Sequence, residues 1–354
     1  MALYLDASLR RTAIPDVATP RTYIRSREFD STLLLAPIFA GLAAALVVTA
    51  DPRLYPFLLV ADLWLLGYHH LVATYTRLTF DTRSLRRNRV LAVDLLVGVT
   101  LVTLTVAITA GAWVIASAFL YLQWFHFMRQ GYGIARMYYR ATPDGQTPGS
   151  RDLAADFAIY LVPIYGIAAR TSTMGDTFLG LPVKVVVLPE AIVTLLGIMA
   201  AAAVIAWAVK ATRAAMNETL DLQYTGFILS HIGIFLVAYV FVDDVNAGWL
   251  AINVWHNFQY VLVVWMSNAK RYVAGVDPTA RFLSRLSQPG RVTMYFACCL
   301  AITTIIYVLL DRFTVLVLGG GLAITVGIYM GINFHHYIVD ALIWKRRKTL
   351  PQGV

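Results

Sequence analysis

VLAVDLLVGVTLVTLTVAIT, residues 90–109, holds one ionisable side chain, Asp94, in twenty positions. As an α-helix it rises about 30 Å, the thickness of a bilayer's hydrocarbon core. Backbone groups left without partners in hydrocarbon cost several kcal/mol each, and a helix satisfies its own. This stretch therefore reads as a transmembrane helix. The same test selects about ten spans, at 32–50, 54–75, 90–109, 112–135, 153–170, 190–209, 222–242, 247–267, 292–310 and 314–344. Of the 354 residues, 59% are hydrophobic and 14% charged, against a usual share of about 25% charged for soluble domains. That composition excludes an ordinary water-soluble globule. The expected fold is all-α, a polytopic membrane helix bundle.

Lys and Arg outnumber Asp and Glu by 29 to 20. On so apolar a chain that excess is read as membrane orientation, not nucleic-acid binding. With the N-terminus inside, the cytoplasmic side collects Arg10, Arg11, Arg21, Arg25 and Arg27, then Arg77 to Arg89, Arg129 to Arg151, Lys210 and Arg213, Lys270 to Arg291 and the tail Lys345 to Lys348. Only Arg53, Arg170, Lys184 and Arg312 fall outside. Both termini are thus expected in the cytoplasm. Residues 1–30 form a polar N-terminal segment without the apolar core of a signal peptide, 31–344 the transmembrane domain, and 345–354 a basic tail. Thr142 to Ser150 is a turn-rich inner loop, and Ser172 to Pro189 the longest outer connection. The two cysteines, Cys298 and Cys299, are adjacent and exclude a disulfide framework and a cysteine-based zinc site.

All seven histidines lie within predicted spans: His69, His70, His126, His231, His256, His335 and His336. Ionisable side chains are costly in a bilayer, and those present usually face the bundle interior and mark function. At 1.5 Å rise per residue, their levels fall within roughly 10 Å of one another along the membrane normal. Imidazoles offered by four or five helices at one depth suit a metal ion. The candidate ligands are His69, His70, His126, His256, His335 and His336. Adjacent residues on a helix point about 100° apart, so each doublet supplies one ligand. Spacing favours His70 and His336, because Thr74 and Asp340 stand one turn away. Metal-bound imidazoles usually donate their second ring proton to a neighbour, and Asp62, Gln123, Gln130, His231, Asn253, Tyr260 and Asp340 are the candidates for such support. Asp62 precedes His69 by two turns; Gln123, His126 and Gln130 form one polar stripe, and Asn253, His256 and Tyr260 another.

Other membrane metal sites are excluded by spacing. No helix carries the stacked histidine pairs of a two-haem bundle; desaturase-type histidine boxes and HExxH are absent. Glu occurs only at Glu28, Glu190 and Glu218, which leaves no carboxylate-bridged di-iron site. A mononuclear all-histidine centre remains, with Fe(II) the expected ion and Zn(II) or Cu the alternatives. The segments GYHHLVATY (67–75), QWFHFMRQG (123–131), VWHNFQYV (254–261) and FHHYIVDALIW (334–344) resemble, in order, those of the Brp/Blh family of bacterial membrane carotene dioxygenases. Where that family has Pro before the first histidine and Asp after it, this chain has Tyr68 and His69 before His70, and Thr74 after. The family's last motif pairs His with an Asp five residues on, which His335 and Asp340 match. The resemblance implies an all-helical fold, histidine-held iron, cleavage of a polyene and residence in a bacterial cytoplasmic membrane.

The leading expectation is an iron-dependent oxygenase that uses O2 on a lipid-soluble, polyene-like substrate, with no catalytic side chain beyond the metal ligands. The alternative is a proton- or cation-coupled transporter with a relay through His231, His256, Asp62, Asp94 and Asp340. A third is a cofactor-holding subunit of a larger membrane complex. Oligomeric state is left open.

Overall fold

The computed structural model describes residues 23–343; the basic tail 345–354 and the first 22 residues of the N-terminal segment lie outside the described residues. Ten long helices follow in chain order: α1 (Arg27–Ala50), α2 (Pro52–Leu78), α3 (Thr82–Thr109), α4 (Ala112–Ala141), α5 (Leu153–Thr171), α6 (Glu190–Met216), α7 (Leu222–Phe241), α8 (Val245–Arg271), α9 (Val292–Leu316) and α10 (Leu322–Ile343). A short helix, Arg281–Leu286, lies between α8 and α9. The protein is an all-α membrane helix bundle. Eight of the ten helices are long and apolar enough to cross a bilayer; the other two, α4 and α8, are long but more polar.

The bundle exposes apolar side chains, as a lipid solvent requires, and buries a mainly apolar core in which the polar side chains are set. The apolar windows of α3 and α6 are only 17% buried and expose large side chains such as Leu101, Val102, Ile198 and Ile205. At the centre stands α8, buried almost continuously from Val245 to Asn268 and packed against α1, α2, α4 and α7. Close approach of these helices depends on small residues. A Cβ at Gly41 of α1 would stand 2.5 Å from the Ala251 carbonyl oxygen of α8; between α10 and α3 likewise, one at Gly327 would stand 2.7 Å from the Leu104 Cα.

Contacts at the helix ends join only connections that the charge pattern assigns to one side. At one end Lys270 donates to the Ile24 carbonyl, Arg271 pairs with Asp81, and Lys210 pairs with Asp152. At the other, the buried Arg170 donates to the carbonyls of Tyr239, Val242 and Asp243, closing the end of α7. Arg170 was counted among the few outer cations; burial shows it to be a helix cap.

Three boundaries differ from expectation. The arginine-rich connection after α2 is helical, Thr82–Arg89, with the Asp81 carboxylate accepting from the Ser84 amide at its start. The tenth span begins at Leu322, not 314, because Gly319 and Gly320 take φ of +83° and +65° and end α9 in a left-handed turn. The outer connection between α5 and α6 contains a β-hairpin, Thr177–Phe178 against Leu181–Pro182.

Candidate metal centre

The centre is assembled by α2, α4, α8 and α10, one imidazole from each. On α2 the residues Leu63–Gly67 form a single π turn, which inserts one extra residue into the helical register. Seven residues make two α turns, so Asp62 would share a face with His69; the extra residue makes the interval eight and substitutes His70. The result is visible in the partners. Asp62 accepts from the Asn253 amide, and His70 stacks on Tyr260 at 3.9 Å between ring centroids, both partners lying on α8. His69 turns away to meet Phe296 of α9 edge-on.

His70 Nε2 lies 2.7 Å from His336 Nε2, which lies 3.3 Å from His126 Nε2. The ligand atoms of His70, His126 and His256 all fall within 4.8 Å of one another, as do those of His126, His336 and Asp340. All four imidazoles are buried. Metal–nitrogen bonds of about 2.0–2.1 Å separate neighbouring ligand atoms by roughly 2.9–4.2 Å, a spacing this cluster brackets.

Proton accounting gives a second, independent test of fit. Tyr260 donates its only hydroxyl proton to Asp340 Oδ1. Thr74 Oγ1 stands 2.8 Å from the Tyr260 oxygen and 3.4 Å from the His70 carbonyl oxygen, and the nearer contact takes its proton. Having no further proton, Thr74 accepts from His336 Nδ1 at 3.0 Å. The chain thereby places the His336 proton on Nδ1 and leaves a lone pair on Nε2, the atom aimed at His70 and His126. One lone pair accepts one proton, so two imidazole nitrogens at short range are not both satisfied by hydrogen bonding. A cation among them accounts for both contacts.

The remaining expected residues divide clearly. Gln123, Asn253 and Asp62 form one directed chain: Trp249 donates to Gln123, Gln123 to Asn253, and Asn253 to Asp62. Asp62 therefore steadies an amide, not an imidazole. Gln130 donates to the His256 carbonyl at 2.9 Å and ties α4 to α8. Tyr260 and Asp340 act through Thr74, as above. His335, His69 and His231 do not join the cluster. Both ring nitrogens of His335 are engaged, by Tyr75 and the Leu91 carbonyl. His231 Nε2 meets the Ile159 carbonyl at 3.1 Å, and its ring fills the space over Gly131, whose added Cβ would lie 2.3 Å from Nδ1. Where the motif resemblance pairs His335 with Asp340, the geometry joins Asp340 to His336.

The four imidazoles line a cavity of about 240 Å³ together with apolar side chains, Leu63, Phe127 and Met330 among them, and the amides of Gln123, Asn253 and Asn333. Leu179 and Leu181 of the hairpin line it as well. Their place in a loop hides them from any search along the spans. Asn257, also on the cavity wall, adjoins His256 in sequence, and an amide beside a histidine in an apolar helix is the sequence signal that marks it. No protein-family model, curated protein or solved structure matches the chain.

Proposed function

We propose that the protein is a membrane metalloenzyme of the non-haem iron oxygenase type, acting on a lipid-soluble, polyene-like substrate in a bacterial cytoplasmic membrane. The observation that carries this reading is the convergence of His70, His126, His256 and His336, with the His336 lone pair directed inward, on a mainly apolar cavity. These four side chains would hold Fe(II), which supplies activation of O2 when bound. Neutral imidazoles, with the Asp340 carboxylate within 4.8 Å of the His126 and His336 ligand atoms, also suit Zn(II) or Cu; the apolar cavity favours redox chemistry on a lipid over hydrolysis of a polar ester. The chain's own contribution is positional. Phe127, whose ring lies against that of His256, and Leu71 exclude water from the imidazoles, and Tyr260, Thr74 and Asp340 keep the His336 ring in one tautomer and orientation.

The transporter reading draws less support, because its relay is not contiguous. His231 is held by Ile159, and Asp94 is exposed on the surface of α3.

Elemental analysis of detergent-purified protein tests the proposal. The wild type should carry about one transition-metal ion per chain, predominantly iron. His126→Ala should lose it, and His335→Ala, whose target lies outside the cluster, should keep it. Monodisperse wild type without metal, or equal loss from both variants, would overturn the proposal.

A further inference from the structure

The hairpin between α5 and α6 turns through Leu179 and Gly180, with φ of +51° and +75°. Two successive positive φ values suit Asn, Asp or Gly; a leucine in the first is strained. Its side chain lines the cavity together with that of Leu181. The hairpin is firmly seated: Phe178 is buried, its ring against those of Phe119 and Trp249. Asn246 accepts from the Leu179 amide at 2.8 Å, and Ser117 from the Lys184 amide at 2.8 Å.

Two helices give the distance from this seat to the histidines. Phe119 precedes His126, and Trp249 precedes His256, by seven residues each, about 10 Å of helical rise. The cavity walls on α4 and α8 are buried, whereas Leu59 and Leu63 of α2 and Tyr329, Met330 and Asn333 of α10 are half-buried. Leu179 and Leu181 of the hairpin are half-buried as well, and the seat of Phe178 on Phe119 and Trp249 sets the hairpin tip about 10 Å from the histidines. What surrounds the hairpin tip is hydrocarbon: Phe119, Leu179 and Leu181, with the Trp249 N–H already given to Gln123.

We propose that the hairpin tip is an end-stop for a linear lipophile whose leading end is unfunctionalised hydrocarbon. That end abuts Leu179 and Leu181, and the stop decides which part of the chain lies beside the histidines. With carbon–carbon bonds of about 1.5 Å, an extended chain advances roughly 1.25 Å per carbon, so the reacting region lies about eight carbons from the seated end. The inference rests on reading the cavity as the substrate site.

The probes are two linear conjugated tetraene alcohols, one ending in methyl and one in tert-butyl at the end remote from the hydroxyl, titrated against full-length protein in detergent by quenching of tryptophan fluorescence. Wild type should bind the methyl-ended probe about ten-fold more tightly, the scale of overpacking a close-fitted site. Leu179→Gly removes the side chain and suits the positive φ, so the hairpin keeps its fold; it should reduce the difference to threefold or less with unchanged metal content. If wild type binds the methyl-ended probe and Leu179→Gly discriminates as wild type does, the end-stop is overturned while the substrate site stands. If wild type binds neither probe, both fall. Loss of metal from Leu179→Gly would also overturn it, by showing that the hairpin supports the centre and not merely the cavity's end.

Discussion

Thr74 has one proton and three polar neighbours, and the orientation of the centre turns on how that proton is used. Because it goes to Tyr260, which serves Asp340, Thr74 accepts from His336. Thr74→Val keeps the shape and removes both roles, so the His336 tautomer is no longer held. Metal affinity should fall about 10- to 100-fold, the usual effect of losing a partner to a metal-bound imidazole, and Thr74→Ser should restore most of it. A competition titration with a chromophoric chelator measures both; unchanged affinity in Thr74→Val would contradict the proton chain. The residues of this chain were legible in the sequence, but their wiring was not. Thr74 stands one turn after His70 on its own helix, yet serves His336 on another, a link that spacing along one chain segment does not report.

At the scale of the element, the π turn in α2 decides which member of the first doublet enters the centre. Deleting Leu65 would remove the extra residue and leave an interval of seven α-helical residues from Asp62 to His70, so the shared face is kept; the prediction is metal content and far-UV circular dichroism like the wild type, and loss of metal with the helix content retained would contradict it. Helix contacts make a second prediction. A Cβ at Gly248 of α8 would stand 2.0 Å from the Ala238 carbonyl oxygen, whereas one at Gly233 of α7 meets nothing within 4 Å. Gly248→Ala should cost about 1–3 kcal/mol, as overpacking does. Gly233→Ala should be neutral or slightly stabilising; thermal unfolding in detergent compares them. The helices themselves were legible because hydrocarbon leaves the backbone few solutions. Their breaks were less so: Gly319 and Gly320 ended α9 inside an unbroken apolar run, and the π turns have no residue signature in it.

For the whole molecule, four helices distant in sequence meet at the centre, so an ion bound there couples them. Removing it with a chelator should lower the unfolding temperature, and saturation at a hundred times the dissociation constant should be worth about 2.7 kcal/mol. A melting temperature indifferent to metal would oppose a shared centre. Orientation is testable at the same scale. Gly149→Cys, in the inner loop by charge, should react with an impermeant maleimide only from the cytoplasmic face, and Gly175→Cys only from the opposite face. Reversed labelling would invert the bundle without altering the cluster.

The sequence alone determined that the chain is an all-helical membrane protein with ten long helices, and that its histidines lie near one depth, because hydrophobic length and helical rise act along the chain. Tertiary structure alone decided which of those histidines meet. Depth is one coordinate; convergence also needs each helix's rotation and neighbours. These depend on a π turn in α2, on small residues that let α1, α7 and α8 approach closely, and on a hairpin folded back from outside the spans. The π turn separated His70 from His69, while Tyr75 and the Leu91 carbonyl hold His335, and the Ile159 carbonyl holds His231, away from the cluster.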